Sequence, residues 1–164
     1  MVSLMHANNE IGNLLPLQTV SGLCKQYDAL FHTDTVQTFG YYPFNLSTLH
    51  LDFMTGSAHK LHGPKGVGFL YINGKHKIDP YIHGGSQERN MRAGTENLYG
   101  IVGLGAATEL AYQNLNDDQT HITSLKTHIR QQLQENFPMI TINGDTESNT
   151  HFKILNICIP PELS

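Results

Sequence analysis

Three short apolar runs, each closing on a cluster of hydrogen-bonding side chains, constrain the fold of this chain most. Residues 2–5 lead into His6-Ala7-Asn8-Asn9-Glu10-Ile11-Gly12. Residues 29–33 lead into Asp34-Thr35-Val36-Gln37, and residues 51–54 into Thr55-Gly56-Ser57-Ala58-His59-Lys60. Between the first two runs, Pro16 suits a first helical turn, and Leu17, Val20, Leu23, Cys24 and Tyr27 follow at helical spacing. Strand, helix, strand is the rhythm of an α/β sheet with parallel strands. Ligands of such sheets bind beyond the carboxyl ends of the strands, so the three polar turns are expected in one cleft.

The rest of the chain extends this pattern. Residues 67–72 form a fourth apolar run and residues 78–82 a candidate fifth. Residues 83–97 make a long polar loop that mixes Arg89 and Arg92 with glycines, a hydroxyl and amides, a composition that reads as functional. A helix is expected from Tyr99 to about Leu115. It contains Gly100, Gly103 and Gly105, which lower helix propensity, so close packing is expected there. A second helix is expected over 119–136, with Ile122, Leu125, Ile129 and Leu133 on one stripe. Asn143-Gly144-Asp145 is a turn, residues 154–159 a strand, and Pro160-Pro161 its end. The chain starts within a strand and stops soon after another, with no linker-like segment, so it is expected to be an internal fragment.

Composition narrows the function classes. A length of 164 residues fits one domain or a large piece of a bigger protein. With 10 Lys and Arg against 14 Asp and Glu, and no basic cluster, neither nucleic acid nor an anionic membrane is an expected partner. No apolar run approaches membrane-spanning length, and the first residues lack the regions of a signal peptide. Two cysteines far apart, Cys24 and Cys158, suit a reducing, cytoplasmic setting. Both are expected to be buried. Ten histidines occur without a His-Glu-x-x-His or Cys-x-x-Cys pattern, so no metal site is expected. His62, His76, His121 and His128 are expected at the surface.

Gly63-Pro64-Lys65-Gly66-Val67-Gly68 is glycine-rich but lacks P-loop spacing, and a strand follows where a P-loop needs a helix. A pyridoxal phosphate site fits the polar turns better. It needs a lysine for the imine, an acid near the pyridine nitrogen, a donor to the ring hydroxyl and an anion cradle. Lys60, Asp34, Gln37, and the pair Ser57 and His59 can fill those roles in that order. Lys65 reads as structural, in the turn that starts the next strand.

Taken together, the motifs resemble cysteine desulfurases of the NifS/IscS type, class V aminotransferases of pyridoxal phosphate fold type I. The resemblance rests on Met5 to Gly12, His32-Thr33-Asp34-Thr35-Val36-Gln37, Ser57 to Gly66, Gly84-Gly85-Ser86-Gln87-Glu88-Arg89, Arg92-Ala93-Gly94-Thr95-Glu96-Asn97 and Ile154-Leu155-Asn156. It implies an α/β fold: a partial large-domain sheet with flanking helices over 1–112, and the start of a small C-terminal domain over 113–164. By the same resemblance Lys60 is catalytic and holds the cofactor. Asp34 pairs with the pyridine nitrogen and Gln37 with the ring oxygen. Ser57 and His59 bind phosphate, and Asn9 contacts the cofactor face or the substrate side. Thr95 reaches the phosphate bound by a second copy, so a homodimer is implied. The implied reaction removes sulfur from L-cysteine, giving alanine and an enzyme persulfide for iron–sulfur assembly or thiolation, with a scaffold protein accepting the sulfur. Thr35 stands where the family usually has Ala or Gly, and tolerance is expected. The family's ring-stacking histidine would lie upstream, and its persulfide cysteine and carboxylate-binding arginine downstream, so this chain alone is expected to be inactive. Selenocysteine lyase, another lyase of the same class, and a non-catalytic remnant are the alternatives.

Overall fold

The computed structural model describes residues 1–145 and 149–161; residues 146–148 and 162–164, within the expected 113–164 unit, lie outside the described residues. The chain runs β1 (Val2–Met5), α1 (Leu17–Gln26), β2 (Phe31–Asp34), β3 (Phe53–Ser57), β4 (Gly68–Ile72), α2 (Leu98–Gln113), α3 (Leu115–Asn136), β5 (Thr141–Asn143) and β6 (Asn156–Cys158). Short 3₁₀ turns occupy Ala58–Leu61 and Glu88–Asn90.

The four-stranded sheet has the order β1-β2-β3-β4. β1, β2 and β3 are parallel, with Met5 opposite Asp34 and Asp34 opposite Thr55. Parallel pairing puts the ends of all three strands on one edge, as the three polar turns anticipate. β4 is the one antiparallel member of this sheet among the described residues. It runs antiparallel to β3, because the turn through residues 58–67 returns the chain directly instead of carrying it through a crossover helix. Residues 78–82 form no strand, and the second sheet is the antiparallel pair of β5 and β6.

Burial alternates along β2 and β3, so the two faces differ. One face carries Phe31 and Met54, which pack with Leu17 and Cys24 of α1 and with Leu51. The other carries a polar ladder, in which Ser3 Oγ lies 2.7 Å from His32 Nδ1 and His32 Nε2 lies 3.3 Å from Thr55 Oγ1. At the other end of the sheet, Asp52 accepts a hydrogen bond from Phe31 N–H at 2.8 Å and contacts His76 Nε2 at 2.5 Å. His76 is therefore half-buried and paired, unlike the expected surface histidine, because Asp52 binds it down against Phe53.

Helix packing accounts for two of the three glycines in α2. A Cβ at Gly103 would come within 2.5 Å of Pro64 Cγ, and one at Gly100 within 3.1 Å of Val67 Cβ. Gly105 has open space around it, so close packing does not explain it. On α3 the expected stripe divides. Ile122 and Leu133 are half-buried, but Leu125 and Ile129 are 47% and 49% exposed. Lys126 and Arg130 take the inner face instead, with Lys126 Nζ donating to His151 O at 2.9 Å. Cys24 is buried as expected. Cys158 is exposed, since the two-stranded ladder that holds it leaves its outer side uncovered.

A second buried cluster joins the sheet to the segment before β6. His151 N–H donates to Gly12 O at 2.7 Å, and Leu14 N–H to Asn149 O at 2.7 Å. Around these ties His6, Tyr41, Tyr42, Phe44, His151 and Phe152 meet ring to ring, mostly edge-on or tilted. Burial is the larger cause that lowers the pKa of both His6 and His151 to about 4. Charge repulsion from His151 adds to the shift at His6, and nearby Lys153 and Lys126 add to that at His151. Both rings are neutral at pH 7.

Two outcomes follow for stability. Thr33 Oγ1 is buried and has no hydrogen-bond partner among the described residues. Thr33→Val replaces the hydroxyl by a methyl of similar shape and is expected to raise the unfolding free energy by about 1–2 kcal/mol. A higher urea midpoint at unchanged slope would show this; a lower midpoint would mean the hydroxyl is satisfied in solution. The histidine pair sets a pH dependence. The unfolded rings titrate near pH 6.5 and the folded ones near 4, so below 6.5 the unfolded chain binds protons that the folded chain does not. Stability therefore falls as pH drops through this window, by at most about 1.4 kcal/mol per pH unit for each ring, and levels off below it. Urea titrations between pH 7 and 5 measure the slope, and a flat profile there contradicts the burial assigned to the pair.

Candidate active site

Asp34 is the last residue of β2, and its Oδ1 accepts a hydrogen bond from Val36 N–H at 2.8 Å. This short turn keeps the carboxylate at the strand end. The next residue locks the neighbouring strand. Thr35 donates to Thr55 O through both its N–H, at 2.9 Å, and its hydroxyl, at 2.6 Å. Thr35 is fully buried, so the hydroxyl fills a place that a bare Ala or Gly would leave without this bond. Gln37 is half-buried, and its backbone carbonyl accepts from His151 Nε2–H at 2.8 Å.

Ser57 closes β3 in extended conformation, and the 3₁₀ turn Ala58–Leu61 follows at once. Ala58 and Leu61 anchor this turn in the interior, which leaves His59 and Lys60 exposed between them. Ser57 Oγ and His59 Nδ1 lie 2.7 Å apart. Lys60 is held by its backbone: Tyr41 Oη donates to Lys60 O at 2.7 Å. Gly40 sits just before Tyr41 at φ +83°, and a Cβ there would crowd Leu61 Cβ at 3.2 Å, so a side chain at this position would strain the turn. Among the described residues, Lys60 Nζ has no hydrogen bond or ion pair.

The remaining expected site residues lie on loops. Asn9 is exposed on the turn after β1, with Nδ2 donating to Glu10 Oε1 at 2.9 Å. Thr95 is exposed at the end of the polar loop. Among the described residues no hydrogen bond joins Thr95 to Asp34, Ser57, His59 or Lys60. In that loop Glu88, Arg89 and Asn90 have φ of 47°, 57° and 65°, a run of left-handed non-glycine residues that costs roughly 1–2 kcal/mol each. Gly94 N–H donating to Gln87 Oε1 at 3.1 Å draws the loop back on itself.

The register thus gathers a carboxylate, an amide-bearing turn, a hydroxyl–imidazole pair and an unpartnered amine at one sheet edge. That donor set fits pyridoxal phosphate. The carboxylate suits a pyridinium nitrogen, Ser57 and His59 suit a phosphate, and a primary amine free of ion pairs suits an aldehyde. Tyr41, His151 and Lys153 surround the back of this site. Their approach carries no local signal in the sequence, since His151 and Gln37 are 114 positions apart. The adjacent rings of Tyr41-Tyr42 and His151-Phe152 are the only hint of a buried aromatic cluster.

Comparison with known proteins shows the family. Residues 1–161 match the family described as aminotransferase class-V. A protein named cysteine desulfurase IscS from Dictyoglomus turgidum is 48% identical over 144 residues, covering 88% of this chain and 36% of that protein. The crystal structure of a NifS-like protein from Rickettsia africae superposes with a TM-score of 0.86 at 36% identity, covering 91% of this chain and 41% of that one. A structure titled SspA in complex with cysteine superposes at 0.76 with 28% identity, covering 98% of this chain and 44% of that one. The chain spans about two-fifths of the length of such relatives. With these matches, and with the α/β sheet of the fold type I enzymes, the chain belongs to the class-V aminotransferase family.

Proposed function

We propose that this chain is the cofactor-holding central part of a pyridoxal phosphate-dependent cysteine desulfurase. The observation that carries this reading is the free Lys60 amine one 3₁₀ turn beyond β3, with Asp34 ending the adjacent strand. When bound, pyridoxal phosphate supplies a ring that draws electrons from a substrate carbon. Lys60 Nζ is the amine that would hold the cofactor covalently and, once released, take and return a proton. Asp34 would hold a proton at the pyridine nitrogen. Ser57 Oγ and His59 Nε2 would bind phosphate, the Ser57–His59 contact orienting the imidazole. The Gln37 side chain would donate to the ring oxygen, and Asn9 would face the cofactor or substrate.

The substrate in this proposal is L-cysteine, whose sulfur leaves to form a cysteine persulfide while alanine is released. Support comes from the names of the relatives and from the cysteine in the SspA structure. Homodimer formation, with Thr95 serving the second copy, a sulfur-accepting scaffold protein and a cytoplasmic setting belong to the same proposal. Exposed Leu98, Tyr99 and Val102 on α2, beside Thr95, are consistent with a covered surface there. Neither cysteine of this chain suits the persulfide role, Cys24 because it is buried and Cys158 because it is held in the β5–β6 ladder.

Titration of the chain with pyridoxal phosphate, followed by absorbance, tests the proposal. Lys60→Ala is expected to abolish the covalent absorbance band. Asp34→Asn is expected to weaken binding about tenfold to a hundredfold, since a hydrogen bond to a charged group contributes about 1.5–3 kcal/mol. Binding that is equal in wild type and both variants would refute the assignment.

A further inference from the structure

The two loops that carry Lys60 and Gln37 are joined from behind by one buried unit. Tyr41 is 6% exposed and its hydroxyl reaches Lys60 O at 2.7 Å. His151 is 1% exposed and reaches Gln37 O at 2.8 Å. A carbonyl only accepts, so Nε2 of His151 carries the proton. Nδ1 is then an acceptor, and it takes Lys153 N–H at 3.2 Å. One neutral tautomer satisfies both contacts, which leaves the ring no freedom to flip. Tyr41 and His151 rings stand 6.0 Å apart, with Phe152 against both. Lys153 Nζ lies 3.5 Å from the centre of the Tyr41 ring, a cation over an aromatic face that holds the ring in place. Lys126 Nζ binds Thr150 Oγ1 at 3.2 Å and His151 O at 2.9 Å, tying the same segment to α3.

We propose that Tyr41 and His151 are positioning residues that fix Lys60 relative to Gln37, coupling the cofactor turn to the 150–153 segment. Neither touches the reacting atoms. Each holds a backbone carbonyl of a residue whose side chain the proposal assigns to the cofactor. Because their rings pack in one cluster with Phe152, a shift of the 150–153 segment is felt at both loops together. Lys153 serves the same end by clamping Tyr41. The inference rests on the cofactor reading for its functional meaning. Its structural content, the order of the Lys60 turn, stands apart from any cofactor.

Tyr41→Phe removes only the hydroxyl and keeps the ring under Lys153; His151→Phe removes the bond to Gln37 O while keeping an aromatic ring. Amide hydrogen exchange in the unliganded chain is the first readout. Tyr41→Phe is expected to speed exchange in the 57–63 peptide about fivefold, the factor expected for one lost hydrogen bond, while the α1 peptide is unchanged. His151→Phe is expected to do the same to residues 35–39. Exchange in those peptides equal to wild type, or raised evenly through the chain, overturns the inference. The second readout is the pH midpoint of the visible absorbance of the chain loaded with pyridoxal phosphate. A shifted midpoint in Tyr41→Phe supports positioning at Lys60; an unchanged midpoint overturns it. Should wild type take up no pyridoxal phosphate, the cofactor reading fails alone, and the exchange data still decide whether Tyr41 and His151 order the two loops.

Discussion

The lock of β2 onto β3 is the contact on which the rest of the site depends. Thr35 places two hydrogen bonds on Thr55 O, one from the backbone and one from the hydroxyl. With Asp34 opposite Thr55, Asp34 and Ser57 fall on the same face of neighbouring strands, two residues apart in register. A slip by one residue would turn Asp34 into the packed side with Phe31 and Met54 and bring Thr33 out in its place. The apolar core resists that slip, because it would expose Phe31 and bury a carboxylate. The hydrophobic packing of α1 on one face therefore determines which polar groups meet on the other.

Much of this was legible in the sequence. The apolar runs before Asp34 and Ser57 place those residues at strand ends, and helical spacing after Pro16 places α1 between parallel strands. Residues 78–82 carry apolar side chains, but Pro80 in their middle has no N–H for a ladder, and they form no strand. Elsewhere tertiary contacts override the local pattern. Leu125 and Ile129 sit at helical spacing with Ile122, yet the segment at 150–155 packs beside Lys126 instead. Cys158 sits in an apolar run, but on a two-stranded ladder one side of such a run stays open. His76 was invisible as a partner because Asp52 lies 24 positions away.

The residues behind the site show the same limit more sharply. Tyr41 and His151 act through backbone carbonyls, so no motif marks them, and only the fold brings them to Lys60 and Gln37. Their burial also explains why a neutral histidine, His151, tolerates two lysines nearby: the ring has one proton to give, and Gln37 O takes it. The segment at 150–153 thus meets the sheet through satisfied polar contacts inside an aromatic shell. Such an arrangement is specific in geometry, since both ring nitrogens of His151 have partners that only one tautomer serves.

The central proposal is that Lys60, alone among the lysines of this chain, is the amine for the cofactor. The direct measurement is peptide mapping by mass spectrometry after the chain is incubated with pyridoxal phosphate and reduced with borohydride. The account predicts one pyridoxyl group per chain, on Lys60. Label spread evenly over Lys65, Lys75, Lys77 and the other exposed lysines, with Lys60 no richer than they are, would contradict it.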